Sequence, residues 1–410
     1  MIKKNFLLKN SFQSLKIKKI ISKKLSKDFD RHMKEIKNDI ENPMATLNVL
    51  NKNYNFNFKT NDLKKFQKFK TITVIGMGGS ILGAEAIFNF LTEKIKKKIY
   101  FLNDINEKKI IELNIKKNFQ KILFIVISKS GNTIETLSNS ITLKIFKKNL
   151  RNVIIISEKK DNYLHLMAKK NNLFYIEHKN NIGGRYSVLS EVGLVPVYLM
   201  GIDIFKLRGK TLSFLKGSHK KFLKESAINL ANIITSKKFN NLIFLNYSPS
   251  LEKFLFWCQQ LIAESLGKEK KGFFPVISNV PKDHHSLLQL YLDGPRDKIF
   301  HIFSLEEDSK TKINAKAFFN QKHFLNDKSL QTVKYAQKDA LIKVLNEKKI
   351  PFREFKIKKK NEEILGELFA YFMLETVIIG KLLRINPFDQ PAVEQVKIYT
   401  EKFLSQQIQK

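Results

Sequence analysis

The segment Ser128-Lys129-Ser130-Gly131-Asn132-Thr133-Ile134-Glu135-Thr136 concentrates hydroxyls, a glycine and a lysine directly after the apolar run Ile122–Ile127. A buried strand that opens into a small, hydroxyl-rich turn and then a helix is an anion cradle. Backbone N–H groups and the positive helix end face outward, and the hydroxyls add donors. The Gly-Lys-Ser/Thr ending of a nucleotide-triphosphate loop is missing, so the simplest guest is one phosphate group. An ordinary Ser/Thr cap on a loop is the alternative reading of this segment.

Other segments carry chemistry of their own. Gly76-Met77-Gly78-Gly79-Ser80 follows a strand candidate and opens a helix. Ile81 stands where a dinucleotide fingerprint needs its last glycine, so the turn reads as a close backbone approach to a ligand, or simply as a tight connection. Gly183-Gly184-Arg185-Tyr186-Ser187 sets a lone arginine after two glycines in a chain that otherwise favours lysine. A guanidinium suits a developing oxyanion; a loop salt bridge is the plainer reading. Gln260 and Glu264 are four residues apart on one helical face, among Phe254, Leu255, Leu261 and Ile262. That setting implies a partly desolvated carboxylate able to act as a base, against the alternative of a capping or ion-paired glutamate. Asp283-His284-His285-Ser286-Leu287-Leu288-Gln289 offers imidazoles that titrate near neutrality, without the companions a metal site requires.

The elements that must position these residues alternate in kind. Strand candidates at Thr71–Ile75, Ile99–Leu102, Ile122–Ile127, Val153–Ile156 and Leu173–Ile176 are separated by helix-length stretches. A second series follows at Leu242–Leu245, Phe273–Ile277, Ile299–Phe303 and Pro351–Ile357. Near-continuous apolar strands alternating with helices predict parallel sheets covered on both faces. Residues Asp203 to Lys238 are expected to join the two units through helices, and Ser11 to Asn42 to form an N-terminal helical arm. A last helix is expected after Pro391, which suits a first-turn position.

Composition narrows the class. At 410 residues, with 43% apolar and 11% aromatic side chains, the chain suits a two-domain globular protein. The single cysteine, Cys258, lies beside Trp257 in an apolar run and reads as a structural thiol; it rules out a disulfide framework or thiolate cluster. The basic start lacks a long apolar region and no run is membrane-length, so a cytoplasmic protein without a membrane partner is expected. The net charge of +36 is spread through every segment, and only seven of the 74 basic residues are arginine. Scattered lysine beside abundant Ile, Asn and Phe points to codon bias rather than to a nucleic-acid partner.

Taken together, these segments resemble the glucose-6-phosphate isomerase (phosphoglucose isomerase) family, which is built from two sugar-isomerase (SIS) domains. The match also takes in Phe388-Asp389-Gln390 through Lys397, and the pieces run in the family's order over roughly residues 70–400. The resemblance implies an α/β fold of two SIS-type parallel-sheet sandwiches with N- and C-terminal helical arms. It divides the chain into an N-terminal arm (1–65), a first SIS domain with the phosphate loop (66–204), a second with the catalytic Glu and His (205–385), and a C-terminal helix carrying Lys397 (386–410). It also implies reversible aldose–ketose isomerisation of D-glucose 6-phosphate and D-fructose 6-phosphate through a cis-enediol. Ser128, Lys129, Ser130, Thr133 and Thr136 would hold the phosphate, and Glu264 would shuttle the proton between carbons 1 and 2. Arg185, preceded by Gly184, would steady the enediolate, and His285 with Lys397 would open the sugar ring. Gly79, Ser80, Gln260 and Gln390 would position hydroxyls. No cofactor or metal is implied, a homodimer with a shared active site is, and activity is expected near neutral to mildly alkaline pH. Another sugar-phosphate isomerase, or a non-catalytic SIS sugar-phosphate sensor, would use the same fold.

Overall fold

The computed structural model describes residues 6–12, 19–115, 119–319 and 323–407. Two five-stranded sheets organise it. β1 (Phe6–Asn10) belongs to the second sheet, whereas β2 (Thr71–Ile75), β3 (Lys98–Leu102), β4 (Ile122–Ile127), β5 (Val153–Ser157) and β6 (Phe174–Glu177) form the first. Their order is β3-β2-β4-β5-β6 and every pairing is parallel, with Thr71 opposite Ile122 and Ile75 opposite Val126. β4 is buried along its whole length, as its unbroken apolar run requires of a strand covered on both faces.

The second sheet contains β7 (Asn241–Asn246), β8 (Phe274–Asn279), β9 (Lys298–Leu305) and β10 (Phe352–Ile357) in the order β1-β10-β9-β7-β8. β7 to β10 are parallel and repeat the pattern of the first sheet; β1 adds antiparallel to the outer edge of β10. The nine strands anticipated from apolar runs are all present, and the helices Ile204–Arg208 and Gly217–Ser236 link the two units. The N-terminal arm differs from expectation in one respect. It is not purely helical, because Phe6–Asn10 pairs with an open sheet edge, a long-range contact that no local periodicity announces. Residues 13–18 of the anticipated arm lie outside the described residues.

The helix Lys19–Glu41 buries Phe29, Met33, Ile36 and Ile40, a stripe of helical spacing, against the helices Gly217–Ser236 and Glu362–Leu382. Each such side chain contributes roughly 1.5–3 kcal/mol of burial. Glu362–Leu382 is apolar nearly all round and is buried nearly all round. The helices Leu82–Phe90, after β2, and Glu252–Leu266, after β7, pack along one another and so hold the two units together. Cys258 is fully buried on the latter, and burial pushes its thiol well above the ordinary range, in keeping with a structural role. Among the described residues no helix is long and apolar enough to cross a membrane.

Candidate active site

In the first sheet β3 lies on one side of β2 and β4 on the other, so the chain changes direction between β2 and β4. Loops at the carboxyl ends of strands flanking such a switch point diverge and leave a crevice for a ligand. Those loops here are Gly76–Ser80 and Ser128–Thr133.

The Ser128 loop is drawn tight by its own hydroxyls. Ser128 Oγ lies 2.8 Å from Thr133 Oγ1 and 3.5 Å from Ser130 Oγ, and accepts the Gly131 N–H at 3.1 Å. Gly131 has φ +71°, and a Cβ there would fall 1.8 Å from Asn162 Oδ1, so only glycine fits. Thr133 precedes the helix Ile134–Thr142 without capping it, its hydroxyl being turned to Ser128. Thr136, in the first turn, is fully buried, and its hydroxyl has no hydrogen-bond partner among the described residues. Unpartnered donors at a helix start are what a bound anion would satisfy. Lys129 is turned aside: its ammonium donates to the Asn180 carbonyl at 2.7 Å and lies 3.7 Å from Glu158, and burial holds it below the usual lysine range.

The glycine loop is compact because three backbones meet there. A Cβ on Gly76 would lie 2.9 Å from the Ile127 carbonyl, and one on Gly79 only 2.2 Å from the Gly184 carbonyl carbon. Ser187 Oγ ties the contact by donating to the carbonyls of Gly184 (2.7 Å) and Gly79 (3.3 Å). Gly78, at φ +51°, faces Gln260 Nε2, while Ser80 is half-buried at the loop's end.

Arg185 is seated by that glycine contact, and its side chain is 2% exposed. Nε donates to Ser265 Oγ at 2.8 Å, and Nη2 to the carbonyls of Pro387 (2.7 Å) and Asp389 (2.9 Å). Nη1 donates to Gln390 Oε1 at 2.6 Å and to Glu264 Oε2 at 3.2 Å. The other carboxylate oxygen of Glu264 accepts from Gln260 Nε2 at 2.9 Å, and Gln260 Oε1 is buried without a partner among the described residues. Glu264 is therefore held between a cation and an amide rather than ringed by apolar side chains, with 30% of its side chain open to solvent. A fixed carboxylate beside a fixed guanidinium has the parts for proton transfer next to a developing oxyanion.

Three residues that sequence reading did not assign support this cluster. Ser265 and Tyr186 anchor the guanidinium and the Pro387 carbonyl, with Tyr186 Oη 2.9 Å from Ser265 Oγ and 3.0 Å from Pro387 O. Lys268 grips the Asn386 and Asp389 carbonyls and the Asp389 carboxylate, which its hydrogen bond holds below the usual aspartate range. Tyr186 and Lys268 find partners in the folded segment 386–389, and Ser265 finds its partners in Arg185 and Tyr186, all of them distant in sequence.

Two predicted residues are not brought to the cluster within one chain. His285 is exposed on the surface helix His284–Asp293 and has no side-chain hydrogen bond among the described residues. Its neighbour His284 instead meets the Tyr247 hydroxyl at 3.1 Å, and burial lowers the pKa of that imidazole. Lys397 is exposed on the helix Glu394–Gln407 and pairs with Glu394, one turn earlier, at 3.2 Å. That helix stands away from the core, packing chiefly on its own leading turn Pro391–Val393, which puts Lys397 in solvent.

Comparison with known proteins places the chain in a family. The profile of the family described as phosphoglucose isomerase matches residues 28–410. The glucose-6-phosphate isomerase of Methanocaldococcus jannaschii is 32% identical over 344 residues, covering 82% of this chain and 84% of that protein. That of Mycoplasmopsis synoviae is 33% identical over 360 residues, covering 80% and 81%. The crystal structure of a hypothetical protein from Thermus thermophilus shares the fold, with TM-score 0.78 and 23% identity over 97% of this chain and all of that one. With its parallel sheets, its glycine-seated arginine and a family match running almost from end to end, the chain belongs to the phosphoglucose isomerase family.

Proposed function

We propose that the crevice between β2, β4 and the Glu252–Leu266 helix interconverts D-glucose 6-phosphate and D-fructose 6-phosphate, and that the residues gathered there share the work as follows. Ser128, Ser130, Thr133 and Thr136 receive the phosphate through hydroxyls and the helix start, with Lys129 adding charge at the rim. That remote grip spends binding energy on orienting the reacting carbons. Glu264 takes the proton from carbon 2 of the open-chain aldose and returns it to carbon 1, so one base serves both carbons. As the carbon–hydrogen bond breaks, negative charge develops on the adjoining oxygen, where Arg185 Nη1 stabilises it. Gly79, Ser80, Gly184, Gln260 and Gln390 align the hydroxyls.

The observation that carries the reading is the Glu264 carboxylate, held 3.2 Å from Arg185 Nη1 and 2.9 Å from Gln260 Nε2. Ring opening falls to His285 and Lys397. His285 is presented on an outer surface, which fits donation to the site of a second copy in a homodimer. The soluble, cytoplasmic setting of glycolysis and gluconeogenesis is part of the same proposal. The decisive experiment follows the purified protein in fructose 6-phosphate through an NADP-linked assay with added glucose-6-phosphate dehydrogenase. Wild type is expected to turn over, and Glu264→Gln to lose ~10² or more in kcat with an unchanged fold. Full turnover by Glu264→Gln would remove Glu264 from its role.

A further inference from the structure

At the edge of the first sheet opposite the active site, the amino ends of β2, β3, β4 and β5 frame an open cleft of about 1060 Å³. A second hollow of about 710 Å³ adjoins it, sharing Lys68, Asn149, Leu150 and Arg151. A strand of five or six residues at ~3.3 Å each separates this edge from the phosphate loop, so a sugar phosphate bound there does not reach it.

Six exposed cations line the two hollows: Lys65, Lys68, Lys70, Lys98, Lys121 and Arg151. No carboxylate lines either one among the described residues, and none of the six cations forms an ion pair with a described residue. Lys65, Lys68 and Lys98 lie over aromatic rings at 4.4 to 5.6 Å, their stems covering apolar surface while their ammonium groups stay unneutralised. The matching edge of the second sheet is also basic, but there Lys298 is paired with Asp297 at 2.6 Å and Arg296 donates to the Lys348 carbonyl at 3.4 Å. Neutral donors complete the cleft. Asn149 accepts from Asn172 through Oδ1 and keeps its own NH₂ group free among the described residues, and Gln120 is exposed beside it.

Unpaired like charges around one concavity repel each other, and a multivalent anion is the guest that relieves them. A single phosphate ester carries about two charges and would match only part of the ring. We propose that this cleft binds a linear chain of three or more phosphate groups, either a free polyphosphate or the tail of a nucleoside triphosphate. The site is separate from the isomerase crevice and does not depend on the roles assigned there.

Calorimetric titration at physiological salt tests it with sodium tripolyphosphate, ATP and inorganic phosphate. Tripolyphosphate is expected to bind at least tenfold more tightly than inorganic phosphate, and saturating glucose 6-phosphate is not expected to displace it. Equal affinity for ATP assigns the site to the phosphate chain alone; a tighter ATP complex assigns it to a nucleotide. The pairs Lys70→Glu/Arg151→Glu and Lys70→Gln/Arg151→Gln should weaken binding tenfold or more with kcat and KM unchanged. The distant pair Lys34→Glu/Lys37→Glu, on the exposed face of the N-terminal helix, should change it less than twofold. The proposal is overturned if tripolyphosphate fails to bind, if inorganic phosphate binds as well, or if the distant pair weakens binding as much as the cleft pairs do.

Discussion

A fully desolvated guanidinium is costly unless each of its N–H groups finds an acceptor, and Arg185 meets that demand with Ser265, Glu264, Gln390 and two backbone carbonyls. Lysine, with one charged nitrogen and no fork, cannot span these acceptors, which accounts for an arginine in a lysine-rich chain. Gly131 is equally constrained. Gly131→Ala would force a Cβ against Asn162 Oδ1 at a left-handed φ, displacing the Ser128 hydroxyl from the loop N–H it now holds. If that loop holds the unreactive phosphate end of the substrate, as proposed, KM is expected to rise tenfold or more while kcat falls less; steady-state kinetics on fructose 6-phosphate measure the split. An unchanged KM would mean that the loop does not hold the phosphate.

At the scale of elements, the C-terminal helix stands out because it leaves Val396, Ile398, Tyr399, Phe403 and Leu404 in solvent. The turn before it is firmly held, since Arg185 and Lys268 together bind the carbonyls of Asn386, Pro387 and Asp389. A helix that buries almost nothing contributes almost nothing to stability, whereas the proposed ring-opening role makes Lys397 matter for turnover. Removal of residues 391–410 is therefore expected to move the thermal midpoint by no more than ~2 °C while lowering kcat at least tenfold. Differential scanning calorimetry and the coupled assay check the two halves separately, and undiminished turnover would exclude Lys397 from the reaction.

On the scale of the whole molecule, an exposed His285 remote from Glu264 makes sense if two copies each complete the other's site. Mixing inactive Glu264→Gln with inactive His285→Ala, unfolded and refolded together, should restore about a quarter of wild-type activity, since half the dimers are mixed and one site in each is intact. No recovery, with particles of 47.8 kDa rather than twice that mass in light scattering, would point to a self-sufficient single chain. Stability should also depend on pH through His178, which is fully buried, has no partner for Nε2 among the described residues, and is held by desolvation at about 4. The unfolded chain, whose histidine titrates near 6.5, then binds the extra proton. This contribution is complete above pH 6.5 and fades as the pH falls toward 4. Between pH 7 and 5 the loss from this one group is about 2 kcal/mol. Urea unfolding at both values should show His178→Gln relieved of that part of the decline; an identical decline in the variant would assign it to other groups.

Periodicity and composition were enough to reveal the alternation of strands and helices, because continuous apolar runs such as Ile122–Ile127 leave a parallel, doubly covered strand as the only place to bury them. The Gln260–Glu264 contact was equally legible, since four residues of helix always bring two side chains together. Family resemblance pointed to Arg185 as a cation for the enediolate, but its neighbours came from the fold: the Gly79–Gly184 backbone contact, the Ser265 hydroxyl and the Pro387–Gln390 turn are far apart in sequence. The strand Phe6–Asn10 shows the same limit, since its partner β10 lies more than three hundred residues away. Local spacing reports which face of an element is apolar and which side chains are neighbours along it. Which loops meet, which donors are used up, and which charges are left without a counter-ion are decided by packing between distant segments.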